Sequence, residues 1–69
     1  MRIVDYFKKH VKIIFTDGEI LTGKVVDYTI AGDNDPEEES IDVAVDAGRF
    51  NGRNIEVYQH EIKTITTLD

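Results

Sequence analysis

The fold is decided by the stretch Val11-Lys12-Ile13-Ile14-Phe15-Thr16-Asp17-Gly18-Glu19-Ile20-Leu21-Thr22-Gly23-Lys24-Val25. Apolar side chains recur at every second position from Val11 to Phe15, as in a β-strand with one buried face. Asp17-Gly18 is a typical hairpin-turn pair, because both residue types tolerate the positive φ angles of such turns. Gly23 lies inside the return strand, where glycine permits a sharp bend or a close backbone approach. The stretch therefore predicts a β-hairpin with a bent second strand.

The flanking segments predict one short helix and three further strands. Ile3 to His10 is expected to be an amphipathic α-helix, because Ile3 and Val4 precede Phe7 by four and three residues. Asp35 as a cap and Pro36 as a first residue predict one helical turn between the second and third strands. The five strands are predicted over residues 11–15, 20–29, 41–46, 55–57 and 62–68.

These elements predict a mainly β protein with one domain. The chain has 69 residues, which is enough for a single small domain. Five short antiparallel strands with a bent second strand favour a strongly bent SH3-like barrel, because closure removes exposed sheet edges. We expect the helix to occupy residues 1–10 and the barrel residues 11–69.

The 11–25 stretch resembles the first signature of the Sm-like (LSm) proteins, in which a bend glycine follows the turn glycine by five residues. Gly18 and Gly23 have that spacing, and Tyr28 stands where the family usually has an aromatic residue. The resemblance implies an Sm-like barrel, often assembled into rings by strand pairing between subunits. The family's usual RNA-binding motif is missing, because Thr29 replaces its aspartate and Gly52-Arg53 reverses its Arg-Gly pair.

Composition excludes several classes of protein and partner. The absence of cysteine excludes disulfides and thiolate metal sites. A net charge of −6 argues against DNA binding, which requires many phosphate contacts from basic side chains. No apolar run is long enough to cross a bilayer, so no membrane association and a cytoplasmic location are expected.

An acidic segment precedes the third strand. Its carboxylates form either a solvated, capped turn, which we favour, or a docking surface for a basic protein or a neighbouring subunit. An EF-hand calcium loop starting at Asp33 is excluded, because its sixth and twelfth positions hold Glu38 and Ala44. A different kind of calcium site stays an alternative. The residues of the segment are Asp33, Asp35, Glu37, Glu38 and Glu39.

A basic hairpin loop is the best candidate for binding RNA. Arginine suits phosphate, asparagine can read base edges, and a phenylalanine ring can stack on a base. The alternative is an ordinary loop whose charges aid solubility. The candidate residues are Arg49, Phe50, Asn51, Arg53 and Asn54. A second basic patch, formed by Lys8, Lys9, His10 and Lys12, is interpreted as complementing the dipole of the N-terminal helix.

Catalysis is not expected, and no cofactor or metal is predicted. The chain has no cysteine nucleophile, and its one serine, Ser40, has no histidine near it in sequence. We therefore expect a binding or assembly module that forms homo-oligomers through its edge strands. The expected edge residues are Ile55, Val57, Tyr58, Ile62 and Thr64.

Overall fold

Residues 2–33 and 37–68 are described by a computed structural model, in which all five strands form one antiparallel sheet. The strands are β1 (His10–Phe15), β2 (Ile20–Thr29), β3 (Ser40–Val45), β4 (Asn54–Tyr58) and β5 (Ile62–Thr67). Their order across the sheet is β4-β3-β2-β1-β5. The prediction of a mainly β chain with five antiparallel strands is confirmed.

The β1–β2 hairpin forms where the Asp-Gly pair predicts it. The Phe15 carbonyl accepts a hydrogen bond from the Gly18 amide at 3.0 Å, and the Phe15 amide donates to the Glu19 carbonyl at 2.9 Å. Gly18 has a φ of +93°, a left-handed conformation that glycine adopts without steric cost. Asp17 contributes through its side chain, whose Oδ1 accepts the Glu19 amide at 2.9 Å. Such Asx bonds stabilise tight turns.

The predicted N-terminal α-helix over Ile3 to His10 is wrong. A single 3₁₀ turn spans Ile3–Tyr6, and the chain then leaves the helical conformation at Phe7. Lys8 has a φ of +68°, its amide donates to the Val25 carbonyl, and the Lys9 carbonyl accepts the Val25 amide. Hydrogen bonds to β2 therefore replace those of a helix that is too short to be stable alone.

Gly23 allows β2 and β3 to approach closely. A Cβ atom at this position would lie 2.3 Å from the Ala44 carbonyl oxygen and 2.9 Å from Cγ1 of Val43. Gly23 also pairs with both Val11 on β1 and Val45 on β3. Of the two roles that a glycine permits inside a strand, a sharp bend and a close backbone approach, the structure shows the close approach. The bend in the second strand stays a prediction.

The sheet is strongly curled, because its two outermost strands are joined by a very short turn. β4 and β5 lie at opposite ends of the sheet, yet only the 3₁₀ turn Gln59–Glu61 separates them in sequence. In a flat sheet, four inter-strand spacings would separate these strands by about 19 Å. Four peptide steps span at most about 14 Å. A flat sheet is therefore impossible.

The curled sheet wraps around one hydrophobic core. Alternate residues of the strands point inward, and Ile3 from the N-terminal 3₁₀ turn joins them. The buried apolar residues are Ile3, Val11, Ile13, Leu21, Val25, Ile41, Val43, Val45, Val57, Ile62 and Ile65.

Candidate functional site

An apolar hollow opens beside the loop that joins β3 to β4. Glycines at positions 48 and 52, with φ of +79° and +90°, fold this loop back on itself. Phe50, at its centre, is half-buried and packs against the core. The hollow has a volume of about 270 Å³, and its apolar floor consists of Phe15, Leu21, Phe50 and Ile55. We call this hollow the Phe50 groove.

The rim of the Phe50 groove is predominantly acidic. Asp17, Glu19 and Glu61 contribute three carboxylates and Arg49 one guanidinium, which leaves two net negative charges. Arg49 Nη2 lies 2.6 Å from Glu19 Oε1, and its guanidinium lies 4.7 Å from the centre of the Phe50 ring. The rim therefore favours a cationic ligand over a phosphate.

The structure divides the predicted RNA-binding loop into two parts. Arg49 is paired with Glu19, and Phe50 is half-buried against the core, so both already have intramolecular partners. Arg53 and the two asparagines of the loop, Asn51 and Asn54, are exposed. Within the described part of the chain, Arg53 forms no ion pair.

The acidic segment is partly tied to the turn between β4 and β5. Glu38 accepts the His60 amide at 2.5 Å, and its carboxylate lies 2.7 Å from His60 Nδ1. The hydrogen bond from the His60 amide lowers the pKa of Glu38, and the nearby imidazole adds to this effect. Glu38 therefore serves an internal contact that links two connections of the fold.

Glu39 is also engaged within the chain. Its Oε1 accepts a hydrogen bond from the Tyr28 hydroxyl at 2.5 Å, and its carbonyl accepts the Gln59 amide. The hydrogen bond to Glu39 raises the pKa of Tyr28. Asp33 and Glu37 are exposed, whereas Asp35 and the helical turn predicted at Asp35–Pro36 lie outside the described residues.

Three carboxylates face one another across β2, β3 and β4. Asp42 is directly opposite Asp27 on one side and Glu56 on the other. Partial burial raises the pKa of Asp42, and the charges of Glu56 and Asp27 raise it further. Sequence reasoning missed this row, because only the register of the strands brings the three residues together. We call it the carboxylate row.

At the two ends of the sheet, within the described residues, one side of the outermost strand has no neighbouring strand. Among the described residues, β4 pairs only with β3 and β5 only with β1. Along an antiparallel strand, successive residues direct their backbone groups alternately to the two sides. The Arg53 carbonyl faces β3, because it accepts the Val45 amide. The backbone groups of Ile55 and Val57 therefore also face β3. The backbone groups of Asn54, Glu56 and Tyr58 point to the free edge. One of them is already bound, because the Tyr58 amide donates to the Glu61 carboxylate.

The same alternation defines the free edge of β5. The Leu68 amide donates to the His10 carbonyl, so Thr64 and Thr66 direct their backbone groups toward β1. Ile65 and Thr67 direct theirs outward. Of the predicted edge residues, Val57 and Ile62 bury their side chains in the core. The outward backbone groups of both edges thus belong largely to residues other than the predicted ones.

The second basic patch is not arranged around a helix end, so its interpretation as a complement to a helix dipole is wrong. His10 belongs to β1, and its Nε2 lies 2.5 Å from Oδ2 of Asp46. The other carboxylate oxygen of Asp46, Oδ1, accepts a hydrogen bond from the Thr22 hydroxyl. Lys8 and Lys9 are exposed beside Phe7, whose ring centre lies 5.5 Å from the Lys8 ammonium. Lys12 is exposed on β1.

Neither a metal centre nor a transmembrane helix is found in the part of the chain that the structure describes. Over residues 2–33 and 37–68, no three His, Asp or Glu side chains are grouped as a metal site requires. The helical turns in these ranges are also too short to cross a membrane.

Comparison with protein-family models, with curated proteins and with solved structures found no match to this chain. A function for the chain must therefore be inferred from its sheet, its edges and its surface chemistry.

Proposed function

We propose that this chain is a non-catalytic assembly module of the Sm-like type, built on a curled barrel that is left open between β4 and β5. It self-associates when the free edge of β4 in one copy pairs with the free edge of β5 in another. The supporting observation is that both end strands have outward backbone groups and a pairing partner on one side only, within the described residues. Unsatisfied edges of this kind are templates for pairing with another chain.

The charges of the two edges favour pairing between unlike strands. Glu56 lies on the β4 edge and the exposed Lys63 on β5. Pairing β4 with β4, or β5 with β5, would bring like charges together, whereas pairing β4 with β5 brings opposite charges together. The contact is then head-to-tail, a geometry that closes into a ring when the rotation between neighbours permits.

RNA binding by the loop between β3 and β4 has less support. Arg53 with its two neighbouring asparagines could contact phosphate or a base edge, but Arg49 is neutralised by Glu19. The adaptor alternative loses support for a similar reason, because Glu38 and Glu39 are held by His60 and Tyr28. Edge pairing mainly uses outward backbone groups, of which the Tyr58 amide is already bound by Glu61.

A proline at Thr67 tests the assembly proposal. The Thr67 amide points to the free edge, so Thr67→Pro removes an intermolecular donor without removing a β1–β5 hydrogen bond. We expect wild-type protein to be oligomeric by light scattering and Thr67→Pro to be monomeric at the same concentration. Thr67→Val is the matched control, since it keeps the amide and the β-branched shape, and it should assemble like wild type.

A wild-type chain that remains monomeric at high concentration would refute the proposal. An oligomer that Thr67→Pro leaves intact, with its thermal unfolding unchanged, would show that assembly uses another surface.

A further inference from the structure

The N-terminal segment presents an exposed apolar side chain that is followed by two cations. Phe7 is 40% exposed, and the exposed Lys8 and Lys9 follow it directly. The Lys8 ammonium lies 5.5 Å from the centre of the Phe7 ring, a cation–π distance. These three residues, which we call the N-terminal knob, combine a phenyl ring with two positive charges.

The Phe50 groove has the complementary properties. Its volume of about 270 Å³ exceeds the roughly 150 Å³ that suffices to hold a benzene molecule in a protein cavity. Its floor is apolar, and its rim carries two net negative charges. A phenyl ring followed in sequence by two lysines therefore matches the groove in both size and charge.

The knob cannot enter the groove of its own chain. The knob precedes β1, whereas Phe15 and Asp17 of the groove lie at and beyond its other end. The six residues of β1 span about 20 Å, so the two surfaces lie at opposite ends of the strand.

We propose that the N-terminal knob of one copy docks in the Phe50 groove of a second copy, so that two copies join end to end. Phe7 fills the apolar hollow, and Lys8 and Lys9 meet the carboxylates of the rim. This contact goes beyond the assembly proposed above, because it uses neither free sheet edge. It is small, and small interfaces are transient, so it forms reversibly at high protein concentration.

Disulfide trapping tests the contact, because the chain has no native cysteine. Lys9→Cys and Asp17→Cys are made in separate chains that also carry Thr67→Pro, so that pairing through β5 is blocked in both. Lys8 of the knob and the carboxylates of Glu19 and Glu61 remain for the ionic contact. The two proteins are mixed with a mild thiol oxidant, and the mixed dimer is quantified. In the control mixture, Glu37→Cys is used in place of Asp17→Cys. It also removes one exposed carboxylate, but at a position that does not line the groove.

We expect the Lys9→Cys and Asp17→Cys pair to cross-link several-fold faster than the control pair. Addition of Phe7→Ala to the Lys9→Cys chain should reduce the rate to that of the control, and high salt should slow it. Equal rates for the two mixtures, or a rate that Phe7→Ala does not change, would overturn the docking proposal. Because all chains carry Thr67→Pro, that result would leave the edge-pairing proposal unaffected.

Discussion

At Gly23 the lack of a side chain determines how closely two strands can pack. The position is buried between Val11 and Val45, and the space for a Cβ atom is already occupied by the Ala44 carbonyl. Its role is steric, because its φ lies outside the left-handed region that makes glycine necessary at Gly18. A single added methyl group must therefore displace the backbone of β3.

Gly23→Ala is expected to destabilise the fold by about 1–3 kcal/mol, the usual cost of overpacking a well-filled interior. Chemical denaturation at constant pH measures the loss. Gly32→Ala is the matched control, because a Cβ there meets no atom within 4 Å, and it should leave stability nearly unchanged. Equal denaturation midpoints for the two variants would show that β2 and β3 can move apart without a loss of stability.

At the scale of elements, two groups of carboxylates respond to pH in opposite directions. The pKa of Asp42 in the carboxylate row is raised by burial and by Glu56 and Asp27. Ionised Asp42 therefore costs stability at neutral pH, and this cost disappears as the pH falls through its folded-state pKa. The pKa of Glu38 is lowered, so its contact with His60 contributes stability at neutral pH that acid removes.

Asp42→Asn is expected to raise stability by about 0.5–1 kcal/mol at pH 7, because it removes repulsion across two strand pairs. The gain should shrink as the pH falls through the raised pKa of Asp42, because the protonated aspartic acid is as neutral as the asparagine. Thermal unfolding from pH 7 to pH 4 measures the difference between variant and wild type. Asp5→Asn, an exposed aspartate outside the row, should show a much smaller gain, and a pH-independent gain at Asp42 would contradict the repulsion argument.

At the scale of the whole molecule, the curl of the sheet brings two unlike edges to one seam. The three-residue turn between β4 and β5 forces the ends of the sheet toward each other, yet no pairing joins these strands within residues 2–33 and 37–68. Each copy thus offers one acidic and one basic edge. This polarity is what an assembly needs in order to add copies in one direction.

Charge exchange between the edges tests that polarity. Glu56→Lys and Lys63→Glu, each made alone, should weaken association at least about tenfold, because each places like charges on both edges. The double variant restores opposite charges and should recover most of the loss. Sedimentation velocity at several concentrations measures the effect, and Lys24→Glu, an exposed site on β2, the middle strand of the sheet, is the control. A double variant that stays dissociated would argue against charge-selected pairing.

The sequence by itself determined the strands and the first hairpin, since both depend on local rules. The alternation from Val11 to Phe15 and the Asp17-Gly18 turn act through neighbours in sequence, and the structure follows them. At Gly23 the sequence indicated only that a backbone could approach closely, whereas the fold decided that Ala44 on β3 does so. The predicted N-terminal helix does not form, because the backbone groups of Lys8 and Lys9 form hydrogen bonds with Val25 on β2, which lies far along the chain.

Only the tertiary structure decided which surfaces are open. Strand register created the carboxylate row and assigned the outward backbone groups, and folding of the loop between β3 and β4 placed Phe50 over a hollow and Arg49 beside Glu19. These contacts join residues from different strands, so their free energies depend on distances that the order of residues does not specify.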